Sequence, residues 1–536
     1  MDLDNTLINY DLAFLQGARD LGLVASDWHG DKKQISDYLR SHDGGESQWQ
    51  NLQGQVYGRL ITHARLFDGV YRFLWRCHQR GFAVDLVSHK TEYGHNDSKK
   101  VPLRKVALEF LASHGIAPGE GGLLRGVSFE NTREQKVQRI IENSYDWFVD
   151  DLTEVLADKS LPNELGRILF DESAQGLMGG IESYRSWAEI EHRLLGAWTE
   201  RELLALAETL ASATVTSVKW ATRGGNSGLL EVVTDNGKKS ALKLYPEHTG
   251  HDRLNSEYNS IKVIKAHDTR SSVPSPLGCD PELSAAMYEW IEGEVVDRPN
   301  NEHMQQALDF LEQLHELRGL PAFENFKNAS AAFLSGSSFE DQLKNRFHSL
   351  MPFATKYPEM RDYLQHEVLP VIEEITSWTR SAWRIKPCYY EPLPRSQQTL
   401  SPSDFGFHNT IERENGKLVF IDFEYFGWDD PVKLIVDFSF HPGMVLNSAL
   451  KQQWIEGTVK IYGEEILERL RLAWPMIGLC WCLILLNEYR GDVWLRRCAA
   501  NAEKSRHREA ILATQLRRSR DLLGMISDRY EHFPFY

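Results

Sequence analysis

Apolar residues recur at helical or strand spacing along most of the chain, and glycines and polar turns separate the segments. Phe73, Leu74 and Cys77 lie on one face of a predicted helix that Gly81 ends, and the run FAVDLVSHK follows as a strand. Helices and strands continue to alternate up to GRILFDES. We expect this last strand to end a first sheet near Glu172.

The pattern changes after this sheet. Apolar residues from Trp187 to Trp198 repeat at helical spacing, which predicts a helical connector over residues 179–211. From Ala213 onward, two strands joined by a glycine-rich turn precede a third strand, SALKLY, and then a helix. Helices dominate the remainder. The longest apolar run, 473–486, contains a Pro and a Gly and is too short to span a bilayer, so it predicts a buried helix.

Composition narrows the class of protein. With 536 residues, 42% of them hydrophobic and 25% charged, the chain predicts two to four globular domains. A net charge of −16 argues against general nucleic-acid binding, and the basic residues Arg517, Arg518 and Arg520 are interpreted as a solvated helix face. The six cysteines lack metal-ligand spacing. We therefore interpret the cysteines as reduced thiols. Together with the absence of a visible signal peptide, they predict a cytoplasmic protein.

One stretch carries the spacing of a phosphoryl-transfer site. Residues 400–431 read LSPSDFGFHNTIERENGKLVFIDFEYFGWDDP. They supply Asp404, then Asn409, then a hairpin turn at Asn415-Gly416 and an apolar run that ends at Asp422. Such chemistry needs a carboxylate at the acceptor hydroxyl and oxygen ligands for Mg²⁺ at the ATP phosphates. The stretch resembles the aminoglycoside phosphotransferase and choline kinase group. Pro402-Ser403-Asp404 stands where that group usually has His-Gly-Asp.

This resemblance implies an α+β, bilobal, protein-kinase-like domain over residues 212–536, with a small lobe at 212–296 and a large lobe at 297–536. It implies that Asp404 is the catalytic base. It also implies that helices after Leu446 line the acceptor pocket. The metal ligands for Mg²⁺ would be Asn409 and Asp422, and the ATP-binding residues would be Gly225, Ser227, Lys243, Glu257, Glu289 and Ile291. Of these, Lys243 and Glu257 would form the ion pair that aligns the phosphates.

A second motif lies at the start of the chain. MDLDNTL contains D-x-D-x-T, whose alternate carboxylates leave a strand end on the same side. It resembles the haloacid dehalogenase (HAD) superfamily, in which the first Asp attacks phosphorus and the second is the acid and base. The resemblance implies Asp2 and Asp4 as catalytic residues. It also implies phosphate binding by Ser88 and Lys136, and Mg²⁺ binding by Asp2, Asp4, Asp150 and Asp151.

The HAD-like resemblance covers residues 1–178 and implies an α/β fold with a Rossmann-like parallel sheet and a helical cap at about 8–66. Only Met1 precedes the D-x-D motif, where the superfamily has its first strand, so this strand is expected to be missing.

Together the motifs predict a bifunctional enzyme with Mg²⁺ and ATP as cofactors. One half would phosphorylate a hydroxyl of a small metabolite, a sugar or sugar phosphate being favoured, and the other would hydrolyse a phosphomonoester. Two alternatives remain open: an aminoglycoside- or choline-type kinase with a non-catalytic HAD domain, and a HAD phosphatase with an inactive kinase-like module. The expected partner is a small-molecule substrate, with no nucleic acid and no membrane, and the oligomeric state is undetermined.

Overall fold

A computed structural model describes residues 1–94, 100–173, 179–221, 227–246, 250–268, 270–491, 493–494 and 508–534. The chain forms two compact units, Met1–Leu206 and Ala207–Tyr536. Each unit has its own apolar core.

The first unit alternates strands and helices. Its strands are β1 (Ile8–Asn9), β2 (Arg65–Leu66), β3 (Asp85–His89), β4 (Gly126–Glu130), β5 (Trp147–Asp150), β6 (Gly166–Phe170) and β7 (Glu182–Tyr184). Its helices are α1 (Asp11–Asp20), α2 (Lys32–Arg40), α3 (Gly45–Val56), α4 (Val70–Arg80), α5 (Leu103–Ser113), α6 (Arg133–Asn143), α7 (Thr153–Leu156), α8 (Trp187–Leu195) and α9 (Glu200–Ala211), the last of which crosses the boundary between the units.

Residues at the start of the chain join two parallel sheets. Strand β3 pairs in parallel with β4, and β5, β6 and β7 form a second parallel set. The Val87 amide donates to the Met1 carbonyl at 3.0 Å, and the Asp2 amide donates to the Val149 carbonyl at 2.8 Å. Met1 and Asp2 therefore occupy the position between β3 and β5 where the sequence led us to expect a missing strand, and they anchor the D-x-D segment from both sides.

Of two sequence predictions about this unit, one is confirmed and the other is wrong. The segment between the D-x-D motif and α4 is mostly helical, as predicted, and contains α1, α2 and α3. The prediction that the sheet ends near Glu172 is wrong, because β7 pairs in parallel with β6 inside the segment interpreted as a helical connector. Strand β7 has three residues, all only partly buried, so it lacks the apolar run by which a strand is recognised.

A buried ion cluster ties α4 to α8 and α9. The Arg76 guanidinium lies 2.8 Å from Glu191 and 3.0 Å from Glu202, and its side chain is 1% exposed. Arg72 pairs with Glu191 at 2.8 Å, and Arg80 pairs with Glu202 at 2.8 Å. Each buried carboxylate thus contacts two guanidinium groups. Removing one of these groups leaves a buried carboxylate without one of its two cationic partners.

Replacing Arg76 with Met should therefore destabilise the protein by about 3 kcal/mol, since breaking a buried pair costs more than losing an exposed one. The urea midpoint of the full chain, followed by circular dichroism, measures the effect. Arg40→Met is the matched control, because the Arg40–Glu46 pair is about half exposed. Its loss should change the free energy of unfolding by no more than about 0.5 kcal/mol. Equal effects of the two substitutions would contradict a structural role for the cluster.

The second unit begins with strands and continues mainly as helices. Its strands are β8 (Val215–Trp220), β9 (Gly228–Thr234), β10 (Lys239–Leu244), β11 (Pro276–Asp280), β12 (Ala285–Glu289), β13 (Glu294–Val295), β14 (Thr399–Ser401), β15 (Thr410–Glu412), β16 (Leu418–Phe420) and β17 (Gly427–Asp429). Its helices are α10 (Arg253–His267), α11 (Asn301–Leu317), α12 (Gly336–Ala354), α13 (Pro358–Tyr363), α14 (Leu369–Ala382), α15 (Pro431–Phe440), α16 (Ser448–Tyr462), α17 (Ile466–Leu485) and α18 (Arg508–Arg529).

The second unit has the two-part, kinase-like arrangement that the sequence predicts. Strands β8 to β12 form one antiparallel sheet in the order β11-β12-β10-β9-β8, and α10 lies between β10 and β11 in the chain. After it come α11 to α14 and the hairpin of β15 and β16. Gly416 closes this hairpin with φ of 75°, a left-handed conformation that glycine adopts without steric cost.

Helix α17 is the centre of the large core. It contains the apolar run recognised in the sequence, and nearly all of its residues are buried. The segment Ile466–Tyr489 is long and apolar enough to cross a membrane, but 83% of its most apolar window is buried inside the protein. This burial fits the prediction of a core helix. Among the described residues, the five cysteines are free thiols, as predicted.

Candidate functional site

The carboxylates of the D-x-D motif and of the end of β5 meet around one lysine in the first unit. The Lys136 ammonium lies 2.8 Å from Asp2 Oδ1 and 2.6 Å from Asp150 Oδ2. Lys136 is in the first turn of α6, where the backbone places it over the carboxyl ends of the central strands. Asp151 joins the cluster through Thr6, whose hydroxyl donates to its carboxylate at 3.2 Å. The sequence prediction had placed these acids and Lys136 in one site, and the fold brings them together.

Ligand atoms of Asp2, Asp150 and Asp151 all lie within 4.8 Å of one another. Burial, followed by the charge on Asp2, raises the pKa of Asp150 above its usual value and that of Asp151 to about 6. A site that gathers three carboxylates in this way favours a bound cation, and oxygen donors are those that Mg²⁺ prefers. The residues present therefore fit a Mg²⁺ ion.

Asp4 lies apart from this cluster of three acids. Its carboxylate accepts hydrogen bonds from Lys90 at 2.7 and 2.8 Å and from the Tyr10 hydroxyl at 2.7 Å. Burial raises the pKa of Asp4, but the charge and hydrogen bond of Lys90 outweigh it and hold the pKa below its usual value. Asp4 is therefore a carboxylate in this structure. Ser88 is buried in β3, next to the Met1–Asp2 segment.

A lysine also organises the candidate site of the second unit. Lys243 on β10 contacts Glu257 on α10 at 2.7 Å and Asp422 at 2.6 Å, and lies 3.5 Å from Glu424. Burial lowers the pKa of Lys243, but the three carboxylates outweigh burial and hold it well above its usual value. The predicted Lys243–Glu257 contact is thus present, and the same ammonium reaches the carboxylate predicted to bind metal.

Lys243, Glu257 and Asp422 line a cavity of about 670 Å³, a size that suits a small-molecule ligand. Its walls include Ser227, Glu289, Ile291, Asn409 and Asp422. The Ser227 hydroxyl donates to Glu424 at 2.6 Å. The Glu289 amide is already used, because it donates to the Ser275 carbonyl at 2.8 Å. Gly225 and most of the glycine-rich turn lie outside the described residues.

Two histidines flank Asp404. His408 Nε2 lies 3.1 Å and His441 Nε2 lies 3.5 Å from Asp404 Oδ1, and the two rings stack with centroids 3.7 Å apart. The Asn409 side chain donates to the Asp404 carbonyl at 2.9 Å, which fixes the loop. Burial raises the pKa of Asp404, but the hydrogen bond and the charge of His408 outweigh it and leave the pKa below its usual value. Burial lowers the pKa of His441 to about 4, so His441 adds little charge at neutral pH. Asp404 is therefore a carboxylate. The histidines and Asn409 hold it in place, although the chain lacks the His-Gly-Asp sequence that is usual in the group it resembles.

Ligand atoms of Glu257, Asp422 and Glu424 also lie within 4.8 Å of one another. Asn409 and Asp422 line the same cavity, and the Asn409 carbonyl accepts from the Ile421 amide at 3.0 Å. Amide and carboxylate oxygens at the wall of one cavity are donors that fit a Mg²⁺ ion.

Sequence reasoning missed several residues of both sites. Lys90, Tyr10 and Thr6 contact the acids of the first site, and His408 and His441 contact Asp404. Lys90 comes two residues after Ser88 at a strand end, which is a usable signal. His441 carries no local signal, since it follows α15 and approaches Asp404 only through the fold.

Comparison with known proteins gives one family match. Residues 223–472, slightly less than half of the chain, match the model of the phosphotransferase enzyme family. The second unit thus contains a region similar to the phosphotransferases, whereas no family match concerns the first unit. No curated protein matches the chain.

Several solved structures are similar over the greater part of the chain. A spectinomycin phosphotransferase in complex with ADP and spectinomycin is 12% identical, with 63% of this chain and 99% of that chain covered and a TM-score of 0.45. An ethanolamine kinase from Plasmodium vivax is 13% identical, with 62% and 95% covered and a TM-score of 0.38. An amicoumacin kinase in complex with AMP-PNP and Ca²⁺ is 15% identical, with 64% and 96% covered and a TM-score of 0.40.

Proposed function

We propose that the second unit transfers the γ-phosphoryl group of ATP to a hydroxyl of a small metabolite. The observation that supports this most directly is the cavity wall shared by Lys243, Asn409 and Asp422, with Asp404 held beside it by His408. Phosphoryl transfer relies on positioning and on charge stabilisation, and this wall offers a cation, metal-binding oxygens and a carboxylate base together.

The proposed roles follow from the contacts. Lys243 holds the phosphate oxygens, and Glu257 keeps its side chain extended into the cavity. Asn409 and Asp422 hold Mg²⁺, which neutralises phosphate charge when bound. Asp404 accepts the hydrogen bond of the acceptor hydroxyl and takes its proton as the new O–P bond forms. The bond between the γ-phosphorus and the β,γ-bridging oxygen breaks, and ADP leaves. The backbone near Glu289 and Ile291 contacts the adenine.

Lys243→Met should weaken ATP binding about 10- to 100-fold, since a charge-assisted contact to phosphate contributes about 1.5–3 kcal/mol. The dissociation constant of ATP and Mg²⁺, measured by calorimetry on the full chain, gives the result. Lys239→Met is the matched control on the same strand, because Lys239 is exposed and its carboxylate contacts are longer, at 3.2 and 3.6 Å. Unchanged affinity in Lys243→Met would contradict the assignment of this cavity to the nucleotide.

His408→Ala should move the acid limb of the phosphotransfer rate to higher pH. The depressed pKa of Asp404 keeps it ionised to lower pH in the native protein, and loss of the His408 hydrogen bond removes part of that depression. The profile of kcat/KM between about pH 4 and pH 8 reports this change. His348→Ala, at an exposed position, is the control. An acid limb that stays in place would show that His408 does not act on Asp404.

We further propose that the first unit is a Mg²⁺-dependent phosphomonoesterase of the HAD type, so that the chain is bifunctional. The free thiols of the described cysteines support a separate proposal, that the protein is cytoplasmic. Support for the phosphomonoesterase comes from Asp2, Lys136 and Asp150 in contact, with Asp151 adjacent. Asp2 would attack phosphorus and displace the alcohol to form an aspartyl phosphate, and water would then release the phosphate. Asp4 would protonate the leaving alcohol and later take a proton from the water. Since Asp4 is a carboxylate in this structure, proton donation requires its contact with Lys90 to open and Asp4 to take up a proton before the alcohol leaves.

In this proposal Ser88 and Lys136 bind the phosphoryl oxygens, and the three clustered acids hold Mg²⁺, which offsets phosphate charge when bound. Asp4 is not part of the cluster of three acids, so we propose a proton-transfer role for it rather than a metal-binding role.

A further inference from the structure

A second cavity of the described second unit, of about 1130 Å³, lies on the other side of the histidine pair. His408 lines the nucleotide-side cavity, and His441 lines this larger one. The two rings stack at 3.7 Å, and both approach the same oxygen of Asp404. The proposed base therefore stands where the two cavities approach each other, and the larger cavity is placed to hold the acceptor. Residues after Leu446 form much of its wall.

The charge of this cavity is opposite to that of the chain. Its wall includes Lys451 on α16 and Arg518 and Arg529 on α18, against the single carboxylate of Glu456. The full chain carries a net charge of −16. Three cations gathered on two helices of an acidic protein attract anions into this cavity.

The arginines of α18 differ in their ion pairs. Arg520, on the same helix, is neutralised by Glu359 at 2.8 Å and Glu367 at 3.2 Å. Arg518 and Arg529 form no ion pair with any residue that the structure describes. The sequence suggested a solvated basic face for this cluster, and Arg518 is exposed in agreement with it, at a position where its side chain also borders the cavity. A guanidinium that is free of carboxylates can bind an anionic group with paired hydrogen bonds.

We infer that the acceptor of the proposed phosphotransfer carries an anionic group, held by Arg518, Arg529 and Lys451, in addition to the hydroxyl that faces Asp404. This inference rests on the proposed function and names its substrate class. A phosphate ester suits a wall that carries several cations, because it offers about two charges and several acceptor oxygens. Polycationic acceptors of the aminoglycoside kind are repelled by the same three groups.

The test compares anionic acceptors with their neutral parents on the full chain. Hexoses and pentoses, their phosphate esters, the corresponding uronic acids and an aminoglycoside are titrated calorimetrically at saturating ADP and Mg²⁺, so that the nucleotide cavity is filled. The double variant Arg518→Ser with Arg529→Ser removes the proposed contacts. Arg517→Ser is the matched control, since Arg517 is exposed on the same helix and does not line the cavity.

At least one phosphate ester should bind the native protein at least about tenfold more tightly than its neutral parent. The double variant should lose this preference, and Arg517→Ser should keep it. The inference is overturned if no phosphate ester shows this tenfold preference over its neutral parent, or if the preference survives in the double variant. A uronic acid that binds as tightly as the phosphate esters would assign the cavity to anions in general and overturn the choice of phosphate.

Turnover separates this inference from the proposed function. If a neutral or cationic acceptor is phosphorylated and the double variant acts on it normally, phosphotransfer stands and the anionic acceptor is wrong. If phosphate esters bind in the arginine-dependent manner but ATP is never consumed, the binding site stands and phosphotransfer is wrong. For a true anionic acceptor, the double variant raises KM at least about tenfold and leaves kcat within about twofold.

Discussion

Asp404→Asn is expected to lower the rate of ATP-dependent phosphorylation by about 10²- to 10⁴-fold, the usual contribution of a positioned general base. The amide keeps the size of the side chain and its place beside His408 and His441, but it cannot take the proton of the acceptor hydroxyl. ATP affinity should stay within about threefold of the native value, because Lys243 and Asp422 remain. Steady-state kinetics with the best acceptor, together with calorimetric ATP binding, measure both quantities.

Asp341→Asn is the control for this variant, because Asp341 is an exposed acid of the same unit on α12. It should retain full activity. If the Asp404→Asn variant phosphorylates its acceptor at the native rate, Asp404 is not the catalytic base. The contacts of His408 and His441 with Asp404 then have no catalytic role.

Asp2→Asn is expected to reduce Mg²⁺-dependent hydrolysis of an aryl phosphate by at least about 10³-fold, since loss of a nucleophile removes the covalent route. Lys136 keeps its contact with Asp150 in this variant, so the fold of the first unit should survive. Thermal unfolding of the variant checks this point, and release of the aryl alcohol gives the rate.

The control here is Asp37→Asn, at an exposed position of α2. The two catalytic variants also control each other, because Asp2→Asn should leave phosphorylation unchanged and Asp404→Asn should leave hydrolysis unchanged. A native protein that hydrolyses no phosphomonoester in the presence of Mg²⁺ would leave the first unit with a binding or structural role.

Local signals explain which parts of the fold the sequence predicted. The Asn415-Gly416 turn and the strand around Lys243 depend on neighbouring residues, and both appear where expected. The gathering of Asp2, Lys136 and Asp150 also follows from local order, because successive parallel strands bring their carboxyl ends to one edge. The two resemblances therefore pointed to acids that the structure brings close to one another in each unit.

Long-range packing explains what the sequence did not show. Strand β7 is short and half-buried, and Met1 and Asp2 fill a strand position through only a few backbone hydrogen bonds. His441 reaches Asp404 because α15 and the loop after it pack against the catalytic segment, and nothing in its neighbours records that contact. Pro402-Ser403-Asp404 stands where the resemblance implies His-Gly-Asp, and two other histidines, His408 and His441, contact the Asp404 carboxylate.

Phosphorus NMR of ATP with the native chain, Mg²⁺ and a panel of sugars, sugar phosphates, amino alcohols and aminoglycosides tests the proposed phosphotransfer most directly. We predict that one class of acceptor converts ATP to ADP with a matching new phosphoester signal, and that Asp404→Asn abolishes the signal. ATP that stays intact with every acceptor, or that yields only inorganic phosphate at the same rate in Asp404→Asn, would contradict phosphotransfer by the second unit.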